Sequence, residues 1–399
     1  MYKKILYTPI VSLIFLSLGN AFLMTFITVK LEDIATPESI IGYIHAAFYA
    51  GLLLGALKSE AWINRVGHIR SYAAFCSLII STILLQSLFF NAYSWILIRF
   101  FAGFATAALY VIIESWLLSQ STKKNKGHIL AIYMVCLYSS QAASQFLLKI
   151  VDLKTMQAFT LGAILSSLSI IPSSLTYLKE PELQCEHSIS ILKYFQVSPL
   201  GFVGCVISGV IISCIHSFLP KYAVDNQLSV SLLLGITIFG GFCLQWPIGK
   251  LSDLFDRTKS ITIIAGIILL PTVVILLAPA KHIVYFFAFI LGGLCFAIYP
   301  ISIALVCDYL KSNNIIKVTG TLLFFYGIGA VFSPPLIAFF IEHTSSEAIF
   351  YYLAINSIIL LATGIYAILK AKPVDAEEQV EFVAMPRITP IAHKLDPRT

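Results

Sequence analysis

Lys179-Glu-Pro-Glu-Leu-Gln-Cys-Glu-His-Ser-Ile-Ser-Ile-Leu-Lys-Tyr-Phe-Gln-Val-Ser198 is the one long polar interruption inside an otherwise apolar array. On each side lie six runs of about 20 mostly apolar residues, the length an α-helix needs to cross a bilayer. They fall near 5–29, 40–63, 71–90, 94–118, 128–150 and 156–178, then near 199–222, 231–250, 260–279, 282–308, 316–341 and 347–369. The pattern predicts an all-α membrane protein with 12 transmembrane helices in two pseudo-symmetric six-helix bundles. The expected divisions are an N-terminal bundle over 1–178, a cytoplasmic linker loop over 179–198, a C-terminal bundle over 199–370 and an extended cytoplasmic tail over 371–399. A 6+6 layout of this kind is that of transporters whose substrate cavity lies between two halves.

Composition supports the membrane reading. Hydrophobic residues make up 58% of the 399 and charged ones 12%, against about 45–50% and 25% in soluble domains. That excludes a disordered scaffold, a disulfide-rich secreted domain and a basic nucleic-acid binder. Lys3 and Lys4 precede the first run, which extends to Val29. A signal-peptide core covers only about 7–15 residues, so the run reads as a retained span.

With the N-terminus inside, 20 of the 26 basic residues fall on the inner side. Lys30, Arg99, Lys149, Lys154, Lys221 and Lys281 fall on the outer side. The positive-inside rule thus expects both termini in the cytoplasm. Seven of the eight cysteines lie in apolar spans and only Cys185 in a loop, with no CxxC or Cys/His ligand spacing. No metal or disulfide framework is expected. Phosphate-binding glycine loops and a GxSxG elbow are absent too. Without a nucleophile and base or a ligand set, an enzyme is not expected, and no cofactor is expected either.

Equivalent loops in the two halves share a pattern. The loop after the second span contains Asn64-Arg65-Val66-Gly67-His68-Ile69-Arg70, and the loop after the eighth runs from Gly249 through Asp253 to Asp256-Arg257. Both are short basic turns. Glycine allows close helix approach, and an acid caps a helix or pairs with arginine. Such a cluster can act as a gate latch. The bland reading, that these basic turns only set topology, carries less weight with two copies.

These loops resemble the signature loop of the major facilitator superfamily, although Asn64 replaces the acid in the first copy. More of the chain resembles the superfamily's YcaD-like branch of bacterial inner-membrane transporters. The resembling stretches include Gly19-Asn20, Tyr49-Ala-Gly51, Arg65 to Arg70, Arg99 with Gly103, and Leu109-Tyr110 with Glu114-Ser115-Trp116-Leu117. Tyr133-Met134-Val135, Gln145, Ser252-Asp253, Asp256-Arg257, Tyr299-Pro300, Asp308, Pro386-Arg387, Thr389-Pro390 and Asp396-Pro397-Arg398 continue the likeness to the end of the chain. Ser333-Pro334 and Lys126-Gly127 depart from the branch, which more often has Gly-Pro and Arg-Gly there.

Ionisable groups inside spans are costly enough to be functional candidates. Arg99 lies in the fourth span, where depth alone leaves snorkelling and function balanced; the resemblance implies a place beside the central cavity and a part in coupling. Glu114, 15 residues later, is about 22 Å away along a helix and out of its range. Arg65, Arg70 or Lys126 are its expected partners, and Arg257 or Lys311 those of Asp308. His45 and His216 read more readily as packed residues than as proton carriers. Further cavity candidates are Asn20, Tyr49, Tyr110, Gln141, Gln145, Gln245, Tyr299 and Tyr326. The cytoplasmic gate is expected to use Arg65, Gly67, Arg70 and Glu114 with Gly249, Asp253, Asp256, Arg257 and Asp308. No acidic residue falls in the middle third of any span, so a central proton-carrying carboxylate has no support.

The functional expectation is a secondary active transporter of a small metabolite or drug-like solute, working by alternating access. A coupling ion such as H+ stays open, the lipid bilayer is the surrounding partner, and a monomer in the bacterial inner membrane is expected. The alternative is a non-transporting membrane sensor or assembly partner on the same scaffold, docking through its tail.

Overall fold

A computed structural model describes residues 2–89, 91–122, 124–153, 155–176, 198–278, 280–309, 315–370 and 379–398. The linker expected at 179–198 lies, apart from Ser198, outside them, as do Lys123, Lys154, Cys185, Lys311 and tail residues 371–378. Among the described residues the regular structure is all helical. The helices are α1 (Tyr2–Asp33), α2 (Glu38–Val66), α3 (His68–Leu88), α4 (Ala92–Ser119), α5 (Lys126–Ser144), α6 (Gln157–Leu168) and α7 (Ile170–Ser174). After the linker come α8 (Pro199–Asp225), α9 (Val230–Asp253), α10 (Arg257–Leu277), α11 (Lys281–Asp308), α12 (Ile315–His343) and α13 (Ala348–Lys370).

Ten of these helices are long and apolar enough to cross a membrane. The fifth and sixth runs are built differently. The fifth leaves α5 for a 3-10 segment, Gln145–Lys149. The sixth, expected as one span over 156–178, breaks at Ser169 into α6 and α7. Pro172 is the cause: it has no N–H to offer the Leu168 carbonyl, and its ring crowds that turn. The hydroxyls of Ser166, Ser167, Ser169 and Ser173 turn back onto local carbonyls and keep backbone polarity covered.

The apolar surface shows what solvent the helices are built for. Along α10, Ile263, Ile267, Leu270, Val273 and Leu277 form an exposed stripe at helical spacing. Ile261, Ala265, Ile268 and Ile275 are buried on the other side. Water would penalise such a stripe, whereas hydrocarbon does not.

The chain forms two compact units, residues 1–186 with 388–397 and residues 187–387 with 398–399. In the first, α2 packs closely on α4: a Cβ at Gly51 would collide with the Phe100 carbonyl, and one at Gly103 with the Phe48 carbonyl. In the second, α9 and α11 meet in the same way through Gly240 against Phe289 and Gly292 against Thr237. Without an aqueous hydrophobic drive, close backbone approach at small residues is what holds such pairs. Each unit repeats the device at its second and fourth spans.

The tail, expected to be an extended segment on the cytoplasmic face or disordered, is packed over its described residues. Its described part is irregular apart from a 3-10 turn at Ile391–Leu395. Phe382, Met385, Ile391 and Leu395 are all buried.

Candidate functional site

In the second unit a buried arginine joins three helix ends. Arg257 opens α10, Asp253 closes α9 and Asp308 closes α11. The Arg257 guanidinium donates to Asp253 Oδ1 at 2.6 Å and to Asp308 Oδ1 at 3.0 Å. Its side chain is 0% exposed and that of Asp308 2%. Asp256 does another job, accepting from the Thr258 N–H at 2.8 Å as the N-cap of α10.

The tail completes this cluster. The backbone N–H of Val380 donates to Asp308 Oδ1 at 3.0 Å, and that of Phe382 to Asp253 Oδ1 at 3.0 Å. Arg257 also donates to the Val380 carbonyl. Lys250 Nζ lies 2.5 Å from Glu381 Oε1 and 3.6 Å from Asp253. That hydrogen bond and the lysine charge hold the exposed Glu381 carboxyl below its ordinary range. Gly249 acts through space: the Phe382 ring occupies the volume a Cβ would need. Further along, Arg387 donates to the Phe296 carbonyl at 2.7 Å and stacks 4.4 Å from that ring's centroid.

In the first unit Glu114 does not take the cationic partner expected of it. Its carboxylate, in a fully buried residue, accepts from the Tyr133 hydroxyl at 2.6 Å, from the Thr389 hydroxyl and from the Ala392 N–H at 3.2 Å. Arg65 and Arg70 are exposed. The reason is burial: Glu114 lies more than a turn before the end of α4, fully enclosed, and α5 and the docked tail supply its donors. Gly67 serves as a hinge between α2 and α3 with φ 94°, a left-handed conformation that only glycine adopts freely. Gate candidates therefore fall into a cluster at Arg257, a separate tail dock at Glu114, and two exposed arginines.

The cavity candidates divide as well. Arg99 is buried, with Nη2 2.8 Å from the Met24 sulfur and its guanidinium 4.1 Å from the Phe48 ring centroid. It lines a small cavity that also includes Asn20, Thr82, Gln86 and Thr106. Tyr49 packs on Met24, Phe48 and Ala102. The others are tied up within the unit: Tyr110 with Ser17 at 3.0 Å, His45 with Thr28 at 2.9 Å, and Gln145 with Thr25 at 2.8 Å. Gln141 contributes its carbonyl to Gln145 at 3.3 Å. In the second unit Tyr299 and Tyr326 meet at 5.1 Å between ring centroids, and His216 lies 6.4 Å from Phe296. Gln245 is buried on α9.

Sequence reasoning passed over Gln86, Val380, Glu381 and Phe382, and it quoted Thr389 only as part of the family likeness. The only signal for the tail residues was the mixture of Val380, Phe382, Met385, Ile388 and Ile391 among the prolines, a pattern richer in apolar residues than a solvated tail needs. Among the described residues no group of His, Cys, Asp and Glu could hold a metal ion.

A family profile extends over most of the chain. That of the Major Facilitator Superfamily matches residues 10–280 and 201–393. The chain belongs to this superfamily. Curated relatives within the superfamily include the uncharacterized MFS-type transporter YcaD of Escherichia fergusonii, 27% identical over 370 residues, 90% of this chain and 95% of that protein. The YcaD of Salmonella typhi is 27% identical over 372 residues, with the same coverage. Among solved structures, that of the nucleoside transporter NupG aligns with a TM-score of 0.74 and 15% identity, over 92% of this chain and 100% of that one. A bacterial homolog of the human lysosomal transporter Spinster, inward-facing and occupied, aligns with a TM-score of 0.72 and 12% identity, over 94% and 97%. The superfamily fold thus extends over both halves, and the chain is a multi-pass membrane protein of a transporter family.

Proposed function

We propose that this protein moves a small metabolite or drug-like solute across the bacterial inner membrane by alternating access of two six-helix bundles, 1–178 and 199–370. Both termini and the 179–198 linker lie in the cytoplasm, and the protein works as a monomer. The observation that carries the gating part is the buried Arg257 bridge between Asp253 and Asp308. A buried ion pair of this kind contributes little to net stability, yet breaking it is costly. It therefore suits a latch with two defined states better than a prop. The tail segment around Val380 and Phe382 closes over the latch within the second unit, and Thr389 and Ala392 close over Glu114 in the first.

The sensor reading loses support because the tail's apolar side chains are buried against its own chain rather than held out for a partner. The test is counterflow in proteoliposomes: protein preloaded with a panel of metabolites should exchange labelled solute without nucleotide. A strict ATP requirement, or no exchange for any compound that shifts the protein's melting temperature, would overturn the reading.

A further inference from the structure

Arg99 carries five N–H donors on a permanent charge. Among the described residues it meets one thioether sulfur and one ring face, with the Tyr49 phenol near enough to act on it electrostatically, and its Nε has no acceptor. No carboxylate lines its cavity. Buried charges in proteins are paired or hydrogen-bonded, because an isolated one forfeits its hydration.

A second observation points the same way. Gln86, at the far end of α3 and 2% exposed, faces the same cavity with its amide nitrogen also lacking an acceptor. Thr82 and Thr106 give their hydroxyl protons to the Ile79 and Ala102 carbonyls, at 2.7 and 2.8 Å. Around this cavity the unused groups on Arg99 and Gln86 are therefore donors. The cavity holds about 20 Å³, room for one small group of water or halide size.

We propose that the Arg99–Gln86 cavity of the first unit is a binding site for a monovalent anion, either the carboxylate head of a small organic acid or a free halide. As a statement of substrate class this rests on the transport reading; as a binding site it does not. Arg99 supplies charge, Gln86 supplies a directional donor, and Phe48 covers one face of the guanidinium.

The test uses the purified full-length protein in detergent, in a buffer whose only anion is bulky isethionate, at constant ionic strength. Sodium acetate, sodium benzoate and sodium chloride are titrated while the unfolding temperature is followed. The wild type should respond saturably to at least one of them. Arg99→Gln should weaken the apparent affinity about tenfold or more, the loss expected for one charge-assisted contact, and Gln86→Leu several-fold. If Arg99→Gln does not fold, Arg99→Lys and Gln86→Leu carry the comparison. A response to acetate or benzoate but not chloride assigns the site to a carboxylate solute; an equal response to chloride assigns it to an inorganic anion. No saturable response, or one unchanged in the variants, would overturn the site. Saturable binding of an acid that shows no gradient-driven flux would remove the transport reading and leave the site standing.

Discussion

Replacing Arg257 by Gln removes the one charge that Asp253 and Asp308 share. With charge centres about 4 Å apart and an effective dielectric of about 20, each pair has a Coulomb energy of about 4 kcal/mol. Most of that is offset by the hydration each group gave up. The measured cost of breaking a buried pair is about 3–5 kcal/mol, because the surviving carboxylate stays buried and unpaired. Asp308 is that carboxylate, with 2% of its side chain exposed. The cheapest relief is to let water in by releasing the tail segment whose N–H groups at Val380 and Phe382 bond Asp308 and Asp253. A shift of about 3 kcal/mol corresponds to roughly a hundredfold change in the docked-to-released ratio. Hydrogen exchange reads this directly: the amides of residues 379–387 should exchange about a hundred times faster in the variant. Peptides from α4 should keep their protection, which separates tail release from general unfolding. Unchanged exchange at Val380 and Phe382 in a folded Arg257→Gln protein would mean that the tail is held independently of the Arg257 bridge.

Three further outcomes follow from the same geometry. Glu114→Gln leaves the Tyr133 and Thr389 hydroxyls and the Ala392 N–H with a weaker acceptor, so limited proteolysis should cleave within 388–397 faster, at a cost of about 1–3 kcal/mol. Gly103→Val or Gly240→Val forces a side chain into a helix pair that has no room for one, an overpacking cost of about 1–3 kcal/mol or more; size-exclusion chromatography should show loss of the monodisperse peak, while Gly266→Val, whose Cβ would meet Leu361 at an ordinary 3.9 Å, should keep it. For pH, Glu381 has its carboxyl held below the ordinary 4.5 by Lys250. The contact therefore contributes fully above pH 4.5 and is lost as pH falls through the lower folded value. A nitroxide at Ala384→Cys should become more mobile on acidification below that point, and Lys250→Gln should remove the pH step.

Long runs of Ile, Leu and Phe announce spans whatever their neighbours do, which is why the helices were readable one by one. The break at Ser169 was less visible, because Pro220, Pro247, Pro271 and Pro300 sit inside helices that continue through them. Among the described residues the helix holding Pro172 runs only from Ile170 to Ser174. Site residues were readable where they could be paired by topology: Arg257 and Asp308 stand at helix ends that the span count puts on one side. Glu114 was not readable in this way. Besides Tyr133, its partners are Thr389 and Ala392, more than 270 positions away, in a segment whose prolines pointed only to an extended stretch on the cytoplasmic face or to disorder. Gln86 also escaped notice, since one amide near a helix end gains meaning only beside an arginine that lacks an acceptor.

In the proposed transport cycle the two bundles rock as the Arg257 cluster opens and closes, and paired distance measurements follow that motion. Nitroxides at Trp62→Cys and Leu254→Cys would report on the side assigned to the cytoplasm, and nitroxides at Tyr93→Cys and Lys281→Cys on the opposite side; all four positions are exposed. Introducing Arg257→Gln should lengthen the first distance and shorten the second, the opposite-signed change that alternating access requires. Distances that stay fixed, or that lengthen together on both sides, would rule out rocking coupled to the Arg257 cluster.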